Sequence, residues 1–79
     1  MKRMAITMTE VCLPAVQVNG RREPLDVDMT VGGLLVRMTL RDRRIAVERN
    51  GEIVPRSAFD QTMLHDGDRI EIVIAVGGG

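Results

Sequence analysis

The residues with the clearest chemical potential are three glycines, Gly77, Gly78 and Gly79, which end the sequence. Because glycine has no Cβ, three in a row form a thin, flexible segment that can enter a channel too narrow for side chains. The carboxylate of Gly79 would then reach a buried active site in a partner while the folded body stayed outside. We therefore take this glycine tail as the candidate functional element, with Gly79 as the reacting residue.

A terminal carboxylate needs activation before it can react with a nucleophile. Its pKa of about 3.3–3.7 leaves it ionised, and hence a poor electrophile, at neutral pH. Joining the carboxylate to AMP turns one oxygen into part of a good leaving group. The pair Gly32-Gly33 lacks the following Lys-Ser/Thr of a phosphate-binding loop. We therefore expect no cofactor bound by this chain, with ATP bound and used by a partner adenylating enzyme.

Other reactive side chains are few. The sequence has one cysteine, Cys12, and one histidine, His65, and this pair is too small a ligand set for a zinc site. Cys12 has no histidine near it in sequence, which makes it a poor candidate nucleophile. Asp66 and Asp68 flank Gly67, a pattern that favours a turn over a cation site, and His65 belongs to the same turn. We expect no catalytic residue and no metal site, so that the chain is a protein co-substrate rather than an enzyme.

Composition narrows the class of partner. The 79 residues are 44% hydrophobic and 28% charged, and 11 basic residues balance 11 acidic ones. With zero formal net charge and Phe59 as the only aromatic residue, we expect no nucleic-acid binding. No apolar run approaches the roughly 20 residues that span a bilayer, so we expect no membrane association. The lone cysteine fits a reducing, cytoplasmic setting, and we expect a monomer when the chain is free.

Domain boundaries follow from where periodic patterns begin. Residues 1–14 hold three of the six methionines and show no clean period. We predict a mobile N-terminal extension over 1–14, a folded domain over 15–76 and the glycine tail over 77–79.

The first half of the domain predicts a hairpin and then a helix. The stretch "AVQV" followed by Asn19-Gly20 indicates a β-hairpin, whose second strand we expect to open at Pro24 with Leu25 and Val27 on one face. Thr30 is a plausible N-cap. An apolar helical stripe follows at Val31, Leu34, Leu35 and Met38. Basic residues collect toward the expected helix end, where they suit its dipole, at Arg37, Arg41, Arg43 and Arg44.

The second half predicts a further hairpin and a final strand. Asn50-Gly51 indicates a turn between strands whose inward residues would be Ile45, Val47 and Ile53. A short helical turn after Pro55 would place Phe59 under the sheet. The last strand would turn one face to the core with Ile70, Ile72, Ile74 and Val76. Its other face presents Val73 and Ala75 beside the tail, which makes them candidate residues for partner docking.

The order of these elements predicts the fold. A β-hairpin, a helix, short strands and a last strand fit an α+β domain with a mixed sheet of four to five strands. The first and last strands would be central and parallel, with the one main helix packed across the sheet. That arrangement is the β-grasp, or ubiquitin-like, architecture.

Several stretches carry a family resemblance. These are "VQVNG" at 16–20, "TVGGLL" at 30–35, "VERNGEIVPRSAF" at 47–59 and "LHDGDRIEIVIAVGGG" at 64–79. Taken in order they resemble the ThiS family of sulfur carriers of thiamin biosynthesis, which is related to the small subunit of molybdopterin synthase. The resemblance covers residues 15–79 and itself implies a β-grasp fold.

The resemblance also implies a reaction sequence and partners. A ThiF-like adenylating enzyme would activate the carboxylate of Gly79, and a sulfur donor enzyme would supply the sulfur that replaces AMP. Thiazole synthase would then take sulfur from the resulting thiocarboxylate. Three alternatives stay open: the small subunit of molybdopterin synthase, a ubiquitin-like protein modifier, and an interaction module whose tail is inert. The stretch "IVIAV" lacks the aromatic or proline residues often found before the glycines in the molybdopterin branch, which favours the thiamin branch.

Overall fold

Over the part of the chain that the structure describes, a five-stranded sheet with one α-helix across it forms the domain. The structure, a computed structural model, describes residues 13–75. The elements in chain order are β1 (Ala15–Val18), β2 (Arg21–Pro24), α1 (Val31–Arg37), β3 (Ile45–Arg49), β4 (Glu52–Val54), a 3₁₀ turn (Arg56–Ala58) and β5 (Arg69–Ile74). The sheet order is β2-β1-β5-β3-β4, in which β1 and β5 are parallel and the other neighbours are antiparallel. The predicted mixed sheet, with its first and last strands inside and parallel, is confirmed.

The first hairpin turns where predicted, but its second strand begins earlier than the sequence suggested. Asn19 and Gly20 both have positive φ, 50° and 85°, as a type I′ turn requires. This two-residue turn pairs Val18 directly with Arg21, so β2 begins at once and ends at Pro24. The prediction that the second strand opens at Pro24 is therefore wrong. Val27 lies beyond the sheet and is 90% exposed.

The second hairpin corrects one inward residue. Its turn residues Asn50 and Gly51 again have positive φ, which fixes the register with Val47 opposite Val54. Val54 therefore shares the buried face of Val47, whereas Ile53 points to the other face and is 65% exposed. The prediction that Ile53 faces inward is wrong.

The helix begins where predicted but ends early. The Thr30 hydroxyl accepts a hydrogen bond from the Gly33 N–H at 3.1 Å, which confirms the N-cap. Thr39 has a φ of 62°, and the Leu40 N–H donates to the Leu35 carbonyl at 2.8 Å. These features form a Schellman-type end in which threonine takes the position usual for glycine. The basic residues after Arg37 thus lie outside the helix and cannot serve its dipole as predicted.

The core lies between α1 and the sheet. Its largest fully buried side chains are Phe59, Leu34, Leu35, Ile70, Val16, Val31 and Val47. Phe59 follows the 3₁₀ turn and is covered by the guanidinium groups of Arg41 and Arg56, whose Cζ atoms lie 5.9 and 5.7 Å from the ring centre. The predicted burial of Phe59 is confirmed. Over the residues that the structure describes, no helix has the length and apolar character needed to cross a membrane.

Candidate functional site

The strand that leads to the glycine tail alternates as predicted. Ile70 and Ile72 are buried on the helix side of the sheet, while Val73 is 64% exposed on the other side. Ala75 is also exposed. Val76 and the glycine tail lie outside the described residues, so the assignment of Gly79 as the reacting residue stays a prediction. The structure shows how the chain is held up to that point.

On the side of β5 that faces β1, the side chain of Asn19 extends the parallel pairing. The regular register between β1 and β5 covers two pairs, Gln17 with Arg69 and Val18 with Ile70. Beyond them, the side-chain amide of Asn19 donates to the Ile72 carbonyl at 3.0 Å and accepts from the Ile72 N–H at 2.7 Å. Asn19 thereby acts as a further rung of the ladder and fixes the middle of β5.

The antiparallel ladder on the other edge runs further. Five residue pairs join β3 and β5, from Arg49 opposite Ile70 to Ile45 opposite Ile74. After the last pair, the Ala75 N–H donates to the Arg44 carbonyl at 2.8 Å. The chain therefore leaves the sheet from a position held by backbone hydrogen bonds.

A buried carboxylate fixes the start of β5. Asp68 accepts hydrogen bonds from the Asn50 side-chain amide, the Arg49 Nε and the His65 backbone N–H at 3.0, 3.0 and 2.8 Å. Burial by itself raises the pKa of Asp68, but these hydrogen bonds and the Arg49 charge outweigh it and hold the pKa below its ordinary value. The second hairpin turn, the loop before β5 and β5 itself are thus tied together.

The predicted turn at residues 65–68 is present in the structure. Gly67 has a φ of 87° and Asp66 accepts from the Ala15 N–H at 2.9 Å, which confirms the predicted turn. The His65 side chain is 70% exposed on that turn, also as predicted. Cys12 lies outside the described residues.

Two residues of the predicted basic cluster, Arg37 and Arg41, make structural contacts through their side chains. Arg41 pairs in bidentate fashion with Asp60, at 2.7 and 2.8 Å. Their hydrogen bond raises the pKa of Arg41 and lowers that of Asp60. Arg37 contacts Asp26 at 3.3 Å and the Pro24 carbonyl at 2.6 Å, while Arg56 donates to carbonyls of the loop before β3.

Sequence reasoning missed the side chains that brace β5. The Asn-Gly dipeptides indicated turns correctly, but they did not show that Asn19 and Asn50 also bond to β5. Asn19 and Ile72 are 53 residues apart, so no local pattern joins them. The sequence placed Asp68 in a turn. Its hydrogen bonds to Arg49 and Asn50 form only because the second hairpin packs beside the start of β5.

Comparison with known proteins gives the family. The ThiS family profile matches residues 16–79. The chain is 39% identical over 64 residues to the sulfur carrier protein ThiS of Bacillus subtilis, covering 80% of this chain and 97% of that protein. It is 45% identical over 62 residues to a thiazole synthase of Paramagnetospirillum magneticum. That match covers 78% of this chain and spans 19% of the synthase.

A solved structure supports the same assignment. The crystal structure of the thiamine biosynthesis protein ThiS from Geobacter metallireducens superposes with a TM-score of 0.68 at 35% identity. The superposition covers 82% of this chain and 99% of that one. The predicted β-grasp architecture and the resemblance read from the sequence are both confirmed: the chain belongs to the ThiS family.

Proposed function

We propose that the chain is a sulfur carrier of thiamin biosynthesis whose reacting group is the carboxylate of Gly79. The observation that carries this proposal is the family match, which extends through the glycine tail to Gly79. The carboxylate attacks the α-phosphorus of ATP on a ThiF-like adenylating enzyme, and pyrophosphate leaves. Hydrosulfide, HS⁻, supplied by a donor enzyme then attacks the acyl carbon, AMP departs as the leaving group, and a thiocarboxylate remains after loss of one proton.

The way in which β5 ends supports a function in which the tail reacts and the folded domain binds the partner. Backbone pairing holds the chain as far as Ala75. Residues 76–79 follow, and four extended residues span roughly 13–14 Å at 3.3–3.6 Å each. A tail of that reach can enter an active site while the folded domain stays on the partner surface. We propose in addition that the chain is a co-substrate, that it is located in the cytoplasm, and that it transfers sulfur to thiazole synthase.

Because the flexible tail loses conformational entropy on binding, the folded domain must also contact the partner. Ordering each flexible residue opposes binding by about 1–2 kcal/mol, so contacts elsewhere must offset that cost. Val73 and Ala75 are exposed on the sheet face away from α1 and directly precede the tail. We propose both as docking residues for the adenylating enzyme.

Two other functions would use a similar tail. A molybdopterin synthase small subunit carries the same thiocarboxylate, but the three similar proteins described above take their names from thiamin and thiazole synthesis, which favours the thiamin branch. A protein modifier would instead form an amide with a lysine of another protein.

Intact mass spectrometry separates these possibilities. The chain is incubated with ATP, a sulfur donor and the ThiF-like enzyme of the same organism. The carrier function predicts a mass gain equal to the exchange of one oxygen for sulfur, and no gain in a chain lacking Gly79. Conjugates with other proteins would instead support the modifier, and an unchanged mass under all conditions would contradict the carrier function.

A further inference from the structure

Arginine supplies almost all of the positive charge of this chain. Of its 11 basic residues, Lys2 is the only lysine, and every basic residue within 13–75 is an arginine. The two residue types carry the same charge but differ in reactivity. A lysine, with a pKa of about 10.4, releases a small fraction of nucleophilic free amine near neutral pH, whereas arginine stays protonated. The folded domain therefore carries positive charge without a side-chain amine that an activated acyl group could acylate.

Structural contacts explain some of these arginines but not all of them. Arg41 binds both carboxylate oxygens of Asp60, and Arg56 donates to the carbonyls of Arg41 and Arg43. Such forked contacts suit a planar guanidinium better than an ammonium group. Arg43 and Arg44 differ, because both are exposed and their side chains have no hydrogen-bond or ion-pair partner within residues 13–75. The fold itself does not require arginine at these two positions.

The position of Arg44 relates it to the reacting group. Its carbonyl accepts the Ala75 N–H at 2.8 Å, so it lies at the point where β5 leads into the tail. Gly79 follows four residues later, a span of at most roughly 13–14 Å. The side chain of residue 44 is therefore within the reach of the terminal acyl group. A positive charge there attracts the anionic carboxylate and the anionic adenylate at the end of the tail.

We propose that Arg44 is a specificity-determining residue of sulfur loading, because it places a positive charge beside the tail without an amine that competes with hydrosulfide for the acyl carbon. This inference rests on the proposed function. In Arg44→Lys, the free amine would attack the acyl carbon of the Gly79 adenylate, form an amide bond and release AMP and one proton. The product is a ring closed between side chain 44 and Gly79, which cannot accept sulfur. Because amine and acyl carbon belong to one chain, their high effective concentration favours this reaction.

Adenylation without a sulfur donor tests the inference. Each chain is incubated with ATP and the ThiF-like enzyme of the same organism, and its intact mass is followed. Arg44→Lys should lose the mass of one water as the ring forms, whereas the parent should keep its mass after the adenylate hydrolyses. Tandem mass spectrometry then locates the amide between residues 44 and 79.

Arg69→Lys is the matched control. Arg69 is also exposed, but it lies six residues before Ala75 on β5, roughly 20 Å away at 3.3–3.4 Å per residue. We therefore expect at least tenfold less ring in Arg69→Lys than in Arg44→Lys. The melting temperatures of both variants should match that of the parent, because both side chains are exposed.

Two further measurements identify the amine as the cause. The rate of ring formation in Arg44→Lys should rise about tenfold for each unit of pH below the ordinary lysine pKa of about 10.4, as the free-amine fraction does. Arg44→Gln, which lacks both the charge and the amine, should form no ring. With the sulfur donor present, Arg44→Lys should yield less thiocarboxylate than Arg44→Gln.

The outcomes separate this inference from the carrier function. Equal ring formation by Arg44→Lys and Arg69→Lys would overturn the inference, as would no ring in either while both support ATP–pyrophosphate exchange. A parent that closes a ring through Lys2 as fast as Arg44→Lys does would overturn it as well. In each of these cases the carrier function stands. A parent that supports no pyrophosphate exchange would instead contradict the carrier function, and the inference with it.

Discussion

The Ala75 N–H lies 2.8 Å from the Arg44 carbonyl, so that β5 remains paired with the chain before β3 up to the last residue that the structure describes. Asn19 holds the opposite edge of the same strand through both polar groups of the Ile72 backbone. Changes before Ala75 and changes in the glycine tail should therefore have different effects. The first group should act on stability or docking, and the second on reaction at the carboxylate.

Acid should weaken the fold through Asp68. The pKa of Asp68 is lower in the folded state than in the unfolded state. The ionised carboxylate therefore stabilises the fold fully at pH values about a unit or more above the ordinary aspartate pKa of about 3.9. This stabilisation is lost as the pH falls through the lower folded-state pKa. At neutral pH we expect Asp68→Asn to cost roughly 1–3 kcal/mol, because amide hydrogens would face the existing donors. Urea midpoints across acidic and neutral pH should show a shallower acid decline in the variant.

A matched control for that series is Asp28→Asn. Asp28 is exposed with a φ of 56°, a conformation that asparagine also tolerates. The control should keep the acid dependence of the parent. An Asp68→Asn chain with the parent's midpoint at neutral pH would show that the polar network does not stabilise β5.

The two helix glycines should respond differently to substitution. Gly33 is exposed at the third helical position, and a Cβ there meets Thr30 Oγ1 at an ordinary 3.6 Å. Gly33→Glu should stabilise the fold by roughly 0.5–1.5 kcal/mol, since it removes a helix glycine, favours the helix N-terminus and can close a capping box with Thr30. Urea unfolding measures the gain, and a lower midpoint than the parent's would refute the capping argument.

Gly32 provides the comparison for that variant. A Cβ on Gly32 would collide with the side chains of Arg41 and Asp60, which pair over its backbone. Gly32→Ala should therefore gain less stability than Gly33→Ala, because the gain in helix propensity is offset by displacement of the ion pair. Equal midpoints for the two alanine variants would contradict this reading.

The sequence predicted features that local chemistry encodes. Asn-Gly turns, the Thr30 cap and the alternation around Ile70 and Ile72 depend on residues close in sequence, and the structure confirms them. The helix end escaped prediction because Thr39 adopts a conformation usually taken by glycine. The inward assignment of Ile53 failed because the two-residue turn, rather than hydrophobicity, sets which β4 residues face the core.

The candidate site likewise has features that the sequence predicted and features that it did not predict. The glycine tail was evident from the order of residues in the sequence, and the exposure of Val73 followed from strand alternation. The supports of β5 could not be foreseen, since Asn19 and Asp68 contact it only after distant segments meet in the sheet.

Removal of residues 1–12 should leave folding and sulfur loading unchanged. That truncation retains Leu13 and Pro14, whose carbonyls accept hydrogen bonds from Arg22 and Leu25. Circular dichroism and the rate of ATP–pyrophosphate exchange would measure the two properties. A truncated chain that unfolds or loses exchange would show that the segment belongs to the domain or to the docking surface.

Val73→Asp should weaken partner binding without unfolding the domain. Val73 is 64% exposed, so a charge there costs little stability but removes an apolar contact with the partner. We expect at least a tenfold increase in Kd for the adenylating enzyme with a nearly unchanged melting temperature. Val73→Thr, which keeps the shape without the charge, should have a smaller effect. Identical Kd values for parent and Val73→Asp would exclude Val73 from the interface.

The central claim is that the Gly79 carboxylate is the group that reacts, and its most direct test is ATP–pyrophosphate exchange by the adenylating enzyme with a chain lacking Gly79. The shortened chain still ends in a carboxylate, but that group lies one extended residue, roughly 3.3–3.6 Å, short of its activation site. Because catalysis is sensitive to displacements of about 1 Å, exchange should fall by orders of magnitude while the melting temperature stays that of the parent. A chain with one alanine added after Gly79 should lose exchange in the same way. Exchange at the parent's rate by the chain lacking Gly79 would contradict the carrier function.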